Sequence, residues 1–519
     1  MKRIGSIIKD HRIICTAAAA AVIALMALTA FFSGKAAKTS AETQKAQNIS
    51  WKVKLTSEEG HDMSDALDTD IYSKVSFGKK SDRLTATLTG TELKLNGVYA
   101  IWDTAPGEWS LEEGEKTVSC GQYGFIHEYV PLPSPANELI INVPANAVLC
   151  DLIFYTEGEL PSSVQRWEPP YEKADLLLFP THGDDEHLFF GGIMPYYGGE
   201  MGYKVQVAYM TNHVFTEKYR CHEQLDGLWK VGIKAYPVYG DFVDEYSKTL
   251  REAQDMYGTE NVERWQVEMI RRFKPYVVVG HDFEGEYGHG AHRINGTTLQ
   301  ISVPDAADPS KFTDSYDKYG TWDTPKFYSH LYNRDNGVII EWGDMPLKAF
   351  GGKTALEMAA EGYKCHESQQ YTRFRVMTDG YGDCRQFGLY RSTVGEDVNK
   401  NDLLEHIVFE PDPTPTPEPT PEPTEVPTPE PTEIPAVETN AAPTDAPGSD
   451  LPADHTAQPA TAGENDATPF ASPAVTAPSG NSEVRSGGDK SIGWIIAALV
   501  LAVALLAVML FVMSKKKSR

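Results

Sequence analysis

The first pattern along the chain is a series of short runs of alternating or β-branched apolar residues between positions 49 and 165. Gly, Pro and Asn separate these runs, and apolar residues at helical spacing are not evident. Regular short strands of this kind are typical of a β-sandwich. We therefore predict a small β-sandwich accessory domain at 49–165, with strands at 51–55, 72–77, 84–88, 93–102, 139–143 and 148–155.

Aromatic residues of this segment allow two interpretations. Trp102, Trp109, Tyr123 and Tyr129 could line a sugar-binding face, because flat rings suit pyranose faces, or they could fill the core of a small sandwich. The pattern does not decide between the two interpretations. The segment is therefore predicted to be an accessory domain, and whether it binds carbohydrate is left undecided.

A second pattern covers 171–409, where short apolar runs alternate with stretches of helical periodicity. Alternating strands and helices predict a parallel sheet with crossover helices, a Rossmann-like α/β layering. No G-x-G-x-x-G follows the first strand, which argues against a nucleotide cofactor. The predicted strands are 176–179, 205–209, 236–240 and 276–280, and the predicted helices are 222–232, 262–273 and 355–370.

Near the N-terminus, an apolar run at 13–32 follows a basic stretch and precedes small residues. This order predicts a secretion signal within 1–40, with cleavage between Gly34 and Ala41. The run is longer than most signal cores, so an uncleaved anchor is the alternative. In either case the domains that follow are predicted to lie outside the cell.

The C-terminal part has three further segments. Residues 410–490 are rich in Pro, Thr and Glu, cannot bury a core, and are predicted to form a disordered stalk. The apolar run at 492–513 extends about 33 Å as a helix, enough for a hydrocarbon core of about 30 Å. With the basic tail at 514–519 in the cytoplasm, we predict a single-pass protein of the cell membrane with an extracellular catalytic domain.

Charge and cysteine content add little to this outline. The formal net charge is −26 at pH 7, yet no Lys or Arg lies between Lys400 and Arg485, so much of the charge belongs to the tail. An acidic balance argues against a nucleic-acid partner.

The pairs Cys120–Cys150 and Cys365–Cys384 are possible disulfides, whereas Cys221 is predicted to be a buried, inert thiol.

The first predicted α/β strand ends in the polar sequence THGDDEH, at the sheet edge where such folds place ligands. His182 and Asp185, three residues apart, can supply a nitrogen and an oxygen ligand to one divalent metal. Asp184 would point elsewhere and could act as a base. Taken alone, the acidic pair could equally be a helix cap.

A second polar motif, HDFEGEYGHGAH, follows the strand at 276–280. His289 and His292 are spaced to lie on one face of a starting helix. Together the motifs offer His182, Asp185 and His292 as three ligands. A metal with three protein ligands keeps a position for water, which is typical of catalytic rather than structural zinc.

These motifs resemble those of the PIG-L (LmbE-like) deacetylases, P/A-H-P-D-D-E and G-H-P-D-H, and the resemblance extends over roughly 171–409. It implies that His182, Asp185 and His292 bind Zn²⁺. It also implies that Asp184 is the general base and that His289 faces the reacting carbonyl.

The same resemblance implies residues that contact the substrate. Arg220 and Glu223 match the family's R-x-x-E, and Asp241 resembles an aspartate that contacts sugar hydroxyls. Apart from the resemblance, Tyr287 is predicted to assist at the mouth of the site. By position alone, Arg220 and Glu223 could be a surface ion pair and Asp241 a turn residue.

Two positions depart from the family pattern. Gly183 replaces a proline, and Ala291 replaces an aspartate that can charge the neighbouring histidine. If His289 must be protonated to stabilise an oxyanion, a carboxylate should raise its pKa. Asp282, Glu284 or Glu286 would then have to substitute, and the sequence does not show whether any of them reaches His289.

The predicted function is therefore extracellular, metal-dependent hydrolysis of the N-acetyl group of an N-acetylglucosamine-type sugar in a glycan or glycolipid. Two alternatives remain at this stage. One is a carbohydrate-binding protein that has lost activity, which Ala291 would permit. The other is a sugar O-acyl esterase, because the same metal chemistry hydrolyses esters.

Overall fold

The computed structural model describes residues 44–409. The predicted signal or anchor at 1–40, stalk at 410–490, transmembrane helix at 492–513 and tail at 514–519 lie outside the described residues. Within residues 44–409, no helix combines the length and the apolar character needed to cross a bilayer.

The N-terminal part of the described chain consists of two antiparallel sheets. Its strands are β1 (Val53–Ser57), β2 (Val75–Ser76), β3 (Asp82–Leu88), β4 (Leu95–Trp102), β5 (Trp109–Glu113), β6 (Lys116–Cys120), β7 (His127–Ala136), β8 (Glu138–Val143) and β9 (Val148–Tyr155). One sheet has the order β1-β3-β8-β5-β6 and the other the order β2-β9-β4-β7. Both sheets contribute to one apolar core, the arrangement of a β-sandwich.

The two tryptophans of this part belong to the core. Trp102 and Trp109 are buried, with their rings edge to face at 5.5 Å between centroids. The core-filling interpretation is therefore right for these two residues, whereas Tyr123 is exposed.

Strands β5, β6 and β7 were not among the predicted strands. β7 carries prolines at alternate positions, Pro131, Pro133 and Pro135. Proline within a run argues against a strand, so the sequence pattern did not predict β7. Because proline donates no ladder hydrogen bond, it is confined to sheet edges, and β7 is an edge strand of its sheet.

The C-terminal part has a seven-stranded sheet with helices between its strands. The strands are β10 (Leu176–Leu178), β11 (Val205–Thr211), β12 (Val238–Phe242), β13 (Val277–Gly280), β14 (Lys326–His330), β15 (Val338–Ile339) and β16 (Gln386–Ser392). The helices are α1 (Asp185–Leu188), α2 (Tyr219–Lys230), α3 (Leu250–Tyr257), α4 (Thr259–Phe273), α5 (Gly290–Asp305), α6 (Thr313–Tyr319) and α7 (Ala355–Tyr363). The predicted parallel sheet with crossover helices is present in β10 to β14, and β15 and β16 add antiparallel strands.

The order of this sheet, β12-β11-β10-β13-β14-β16-β15, determines where a ligand can bind. The chain runs outward from β10 through β11 to β12 and then returns to the other side of β10 at β13. The carboxyl ends of β10 and β13 therefore flank a switch in strand order, which is where open α/β sheets form a crevice. Both polar motifs begin at these two ends.

The sandwich packs against helix α2 through buried polar groups. Asp103 accepts hydrogen bonds from Lys74 within the sandwich and from Lys218 just before α2, the latter over 3.0 Å. Nε2 of His127 lies 2.7 Å from Nδ1 of His222, and both imidazoles are buried. The sandwich is thus tied to the helix that carries Arg220.

The five cysteines between residues 44 and 409 are free thiols, so the two possible disulfides are not formed. Cys120 ends β6 in one sheet, whereas Cys150 lies in β9 of the other sheet. Cys221 is buried, and burial raises the pKa of its thiol to about 12, which keeps it in the unreactive thiol form.

Candidate active site

The two polar motifs meet at the carboxyl ends of β10 and β13. After β10 the chain makes a tight turn through Gly183, whose Cα faces the Gln224 side chain so closely that a Cβ would collide with it. Helix α5 begins at Gly290 and brings His292, fully buried, against His182. Residues 110 positions apart thereby share one site.

The three predicted metal ligands converge. Nδ1 of His182 lies 3.1 Å from Oδ2 of Asp185 and 3.2 Å from Nε2 of His292. The third separation, from Nε2 of His292 to Oδ2 of Asp185, is 3.3 Å. Metal–ligand bonds of about 2.0–2.1 Å in a tetrahedron place ligand atoms roughly 3.3 Å apart. The spacing of the donor atoms therefore fits a zinc ion.

Glu286 fixes the orientation of His292. Its Oε2 accepts a hydrogen bond from Nδ1 of His292 over 2.7 Å, which leaves the lone pair on Nε2 facing the other two ligands. Its Oε1 accepts from Nδ1 of His281 and of His330 over 2.8 and 3.0 Å. Burial alone would raise the pKa of Glu286, but the imidazoles of His281 and His292 hold it well below the usual value. Carboxylates commonly orient metal-binding histidines in this way.

His281 is a supporting residue rather than a further ligand. Its Nε2 lies 3.4 Å from Asp185 but already accepts the backbone N–H of Thr181 over 3.0 Å. Its Nδ1 donates to Glu286. Both ring nitrogens are therefore used, as the sequence-based interpretation of a structural histidine expects.

Asp184 lies beside the ligand trio in a strained conformation. Its φ is 141°, in the region that L-residues rarely adopt. The backbone is held on both sides: Gly183 O accepts from Nη2 of Arg220 over 2.7 Å, and Asp184 N–H donates to Oε2 of Glu186 over 2.8 Å. Burial and the adjacent charge of Asp185 raise the pKa of Asp184, while Arg220 opposes this shift.

Glu186 is itself anchored by a residue from a distant part of the chain. Its Oε1 lies 2.9 Å from Nε2 of His366, and both side chains are fully buried. His366 follows α7 within KCHESQQ, so the C-terminal end of the domain supports the turn that carries Asp184. The sequence-based prediction gave neither residue this role, although Glu186 belongs to the motif THGDDEH and His366 to the predicted helix at 355–370.

Arg220 lies at the site and pairs with Asp244, so the alternative of a surface ion pair with Glu223 is not formed. Its Nη1 donates to Oδ2 of Asp244 over 3.1 Å, and Asp244 also approaches Nδ1 of His213 at 3.2 Å and Nε2 of His182 at 3.5 Å. Glu223 does not pair with Arg220; it accepts hydrogen bonds from Ser368.

The assignment of Asp241 to the site is wrong. Its side chain is exposed and lines a separate cavity of about 610 Å³ with Trp265 and Met256. β12 ends at Phe242, two residues later than predicted, so Asp241 is still part of the strand, and it does not line the site cavity. Asp244, three residues further along GDFVDEY, lines the site cavity instead.

His289 lies next to the trio without a carboxylate partner. Neither of its ring nitrogens has a hydrogen-bond partner among residues 44–409. Burial and the neighbouring imidazole of His182 lower its pKa. None of the three acidic residues that could have substituted binds His289: Glu286 binds other histidines, Glu284 pairs with Arg293, and Asp282 is not a hydrogen-bond partner of His289. Ala291 lies in an apolar cluster.

The site cavity measures about 230 Å³. Tyr287 forms part of its wall, with its ring parallel to that of His289 at 5.6 Å between centroids. The lining residues are His182, Asp184, Asp185, Leu188, Phe189, Arg220, Asp244, Tyr246, Tyr287, His289, Gln369 and Phe374. A ligand in this cavity would meet His182 and Asp185 of the predicted metal ligands, the predicted base Asp184, and Arg220 together.

Comparison with known proteins gives one sequence relative and several structural likenesses, and no family model matches the chain. A stretch of 69 residues is 36% identical to 1D-myo-inositol 2-acetamido-2-deoxy-alpha-D-glucopyranoside deacetylase 2 of Saccharopolyspora erythraea. It covers 13% of this chain and 24% of that relative, so the chain spans about a quarter of the curated relative it matches.

Among solved structures, the N,N'-diacetylchitobiose deacetylase of Pyrococcus horikoshii aligns with a TM-score of 0.31 and 19% identity, over 38% of this chain and 72% of that one. Chitosan-binding module 1 of a Paenibacillus chitosanase/glucanase aligns at 0.19 and 14% identity, over 21% of this chain and 98% of the module. Both TM-scores are low.

Proposed function

We propose that this chain is a zinc-dependent deacetylase that hydrolyses the N-acetyl group of an N-acetylglucosamine-type sugar in a glycan or glycoconjugate. One observation carries the proposal: donor atoms of His182, Asp185 and His292 lie 3.1–3.3 Å apart, beside a buried carboxylate on Asp184. Three protein ligands leave a coordination position open for water, as hydrolytic zinc sites require.

The metal would be held by Nδ1 of His182, Nε2 of His292 and a carboxylate oxygen of Asp185. When bound, zinc supplies Lewis acidity, which lowers the pKa of a bound water to about 7 and polarises a carbonyl oxygen. Glu286 keeps His292 in the tautomer that such a site needs.

Asp184 is the proposed general base. Its carboxylate takes a proton from the attacking water and, once protonated, gives it to the leaving amine, because an amide nitrogen leaves poorly as an anion. The burial that raises its pKa favours this exchange. Arg220, 3.8 Å from Asp184 through Nη2, keeps the carboxylate in place.

His289 is the proposed donor to the oxyanion that develops on the acetyl carbonyl. A neutral imidazole still carries one N–H, and both nitrogens of His289 lack other partners among residues 44–409. No carboxylate is therefore needed at position 291. Arg220 and Asp244 would bind sugar hydroxyls, and Tyr287 would cover the acetyl group.

The N-acetylglucosamine-type substrate is supported by the matched relative, whose name specifies a 2-acetamido-2-deoxy-glucopyranoside. The location is proposed from the sequence alone. The segments at 1–40, 410–490 and 492–513 would place the enzyme outside the cell on a stalk attached to the cell membrane.

The test is release of acetate and free amine from N-acetylglucosamine saccharides by purified protein. We expect activity that a chelator abolishes and added zinc restores. O-acetylated sugars assayed in parallel separate an esterase from a deacetylase. Full activity in metal-free protein, or hydrolysis of the O-acetyl sugars only, would contradict the proposal.

A further inference from the structure

Exposed aromatic rings surround the mouth of the site cavity. Tyr246 has 74% of its surface exposed, although its ring lies nearly parallel to that of His289, 5.0 Å away and tilted by 24°. One face of the Tyr246 ring thus covers His289, and the rest of the side chain is open to solvent.

The rings continue on the other side of His289. Tyr287 lies 5.1 Å from Phe374 and 6.3 Å from Tyr381 between ring centroids. Tyr287 and Tyr381 are 37% and 36% exposed. We call Tyr246, Tyr287, Phe374 and Tyr381 the aromatic rim. Contiguous exposed apolar surface beside a cavity is costly in water and is typical of ligand-binding grooves.

Two arginines without ion-pair partners among the described residues lie next to a residue of the aromatic rim in the chain. Arg373 and Arg375 flank Phe374 in the chain, and both are exposed. Neither guanidinium has an ion pair or hydrogen bond with another group in the described range 44–409, although the chain as a whole carries a formal charge of −26. Two exposed arginines on either side of Phe374, which lines the cavity, offer a local site for an anion.

The cavity is too small to enclose a chain of sugars. Its volume of about 230 Å³ lies below the roughly 300–1,000 Å³ typical of pockets that enclose drug-sized ligands. If the reacting sugar occupies it, neighbouring sugars of a longer glycan must lie outside, and the aromatic rim is the surface that they would meet.

We propose that the aromatic rim, with Arg373 and Arg375, binds further sugar residues of an anionic glycan chain beyond the residue that loses its acetyl group. This proposal rests on the proposed function and specifies its substrate class. Pyranose rings present flat C–H faces that pack on aromatic rings. Carboxylates on the sugars would pair with the guanidinium groups.

The first test compares three substrates with the purified full-length protein. They are N-acetylglucosamine, a neutral tetrasaccharide of N-acetylglucosamine, and a carboxylated tetrasaccharide that alternates N-acetylglucosamine with N-acetylmuramic acid. We expect kcat/KM to rise in that order. The Tyr246→Ala variant should lower the ratio of tetrasaccharide to monosaccharide kcat/KM roughly 2- to 10-fold, the worth of one ring contact.

Arg373→Gln combined with Arg375→Gln should reduce the preference for the carboxylated over the neutral tetrasaccharide. Trp51→Ala is the matched control, because Trp51 is an equally exposed aromatic residue, at 75%, on the sandwich. Trp51→Ala should leave unchanged both the ratio of tetrasaccharide to monosaccharide kcat/KM and the ratio of carboxylated to neutral tetrasaccharide kcat/KM. Equal kcat/KM for all three substrates, or ratios that Tyr246→Ala does not change, would overturn the proposal.

A binding experiment separates this proposal from the deacetylase itself. Calorimetric titration of the Asp184→Asn variant with the same saccharides needs no turnover. Binding of the carboxylated tetrasaccharide that weakens with the two arginine substitutions supports the subsite, even if wild-type protein deacetylates none of them and the proposed function fails. Absence of tetrasaccharide binding overturns the subsite.

Discussion

The backbone amide of Asp184 donates a hydrogen bond to Oε2 of Glu186 over 2.8 Å, at a residue whose φ of 141° is unfavourable for an L-amino acid. Such conformations cost about 1–3 kcal/mol and persist where the surroundings enforce them. Here Glu186 and its partner His366 enforce the turn that directs Asp184 toward the metal ligands.

Glu186→Gln tests this support. An amide keeps one oxygen but cannot reproduce the charge that holds His366, so we expect kcat to fall roughly 10- to 100-fold through misplacement of Asp184. Zinc content should stay near one per chain, because the three ligands are unchanged. Glu138→Gln, an exposed glutamate on β8, is the control. A variant with normal kcat would show that Glu186 does not position the base.

Substitutions at the base and at a ligand should have separable effects. Asp184→Asn is expected to retain zinc and lose most turnover, because only the proton acceptor is removed. His292→Ala should lose both zinc and turnover, since two ligands bind zinc poorly. Metal analysis and acetate release on the same samples provide the comparison. If Asp184→Asn loses zinc as completely as His292→Ala, the assigned roles are wrong.

Glu286→Gln addresses the support of the metal ligands. Glu286 accepts hydrogen bonds from three imidazoles, and removing its charge should weaken zinc affinity by roughly 10- to 100-fold. Competition with a fluorescent chelator measures this. The kcat of the zinc-saturated variant should change less than its affinity for zinc. An unchanged zinc affinity would show that Glu286 does not support the metal ligands.

The junction between the sandwich and α2 should make stability dependent on pH. Burial lowers the pKa of both His127 and His222, that of His222 to about 4. The unfolded chain binds protons at these histidines below about pH 6.5. In the folded chain His222 does not bind one until about pH 4, and the pKa of His127 also lies well below its usual value. The free energy of unfolding therefore falls as pH decreases from 6.5 toward 4.

Thermal unfolding at a series of pH values between 5 and 8 measures this effect. The His127→Gln/His222→Gln variant should show a smaller decrease in Tm below pH 6.5 than the wild type, whatever its Tm at pH 8. An identical pH dependence in the two proteins would show that these histidines do not contribute.

The sequence predicted the features of the fold that follow from local pattern. The runs that became β10, β11 and β13 are continuous and apolar, so their alternation with helices identified the parallel sheet. His182 and Asp185 lie shortly after the end of β10, and His292 lies in the first turn of α5, the helix that follows β13. The carboxyl ends of adjacent parallel strands meet at one edge of a sheet. The convergence of these three residues was therefore predictable without knowledge of the intervening chain.

Features that depend on register or on distant contacts were not predictable. Asp241 was assigned to the site by resemblance alone, whereas Asp244, three residues further along the chain, lines the site cavity. Because β7 contains three prolines, the sequence did not predict it as a strand, although it pairs with β4. The contact between Glu186 and His366 joins residues 180 positions apart, and no local pattern signals it.

The most direct test of the central claim is anomalous diffraction at the zinc edge from crystals of the zinc-loaded protein. The account predicts one strong peak about 2.0–2.2 Å from Nδ1 of His182, Nε2 of His292 and a carboxylate oxygen of Asp185. No peak at these three residues, or a peak only at another buried group such as Asp103, Cys150 and His222, would contradict it.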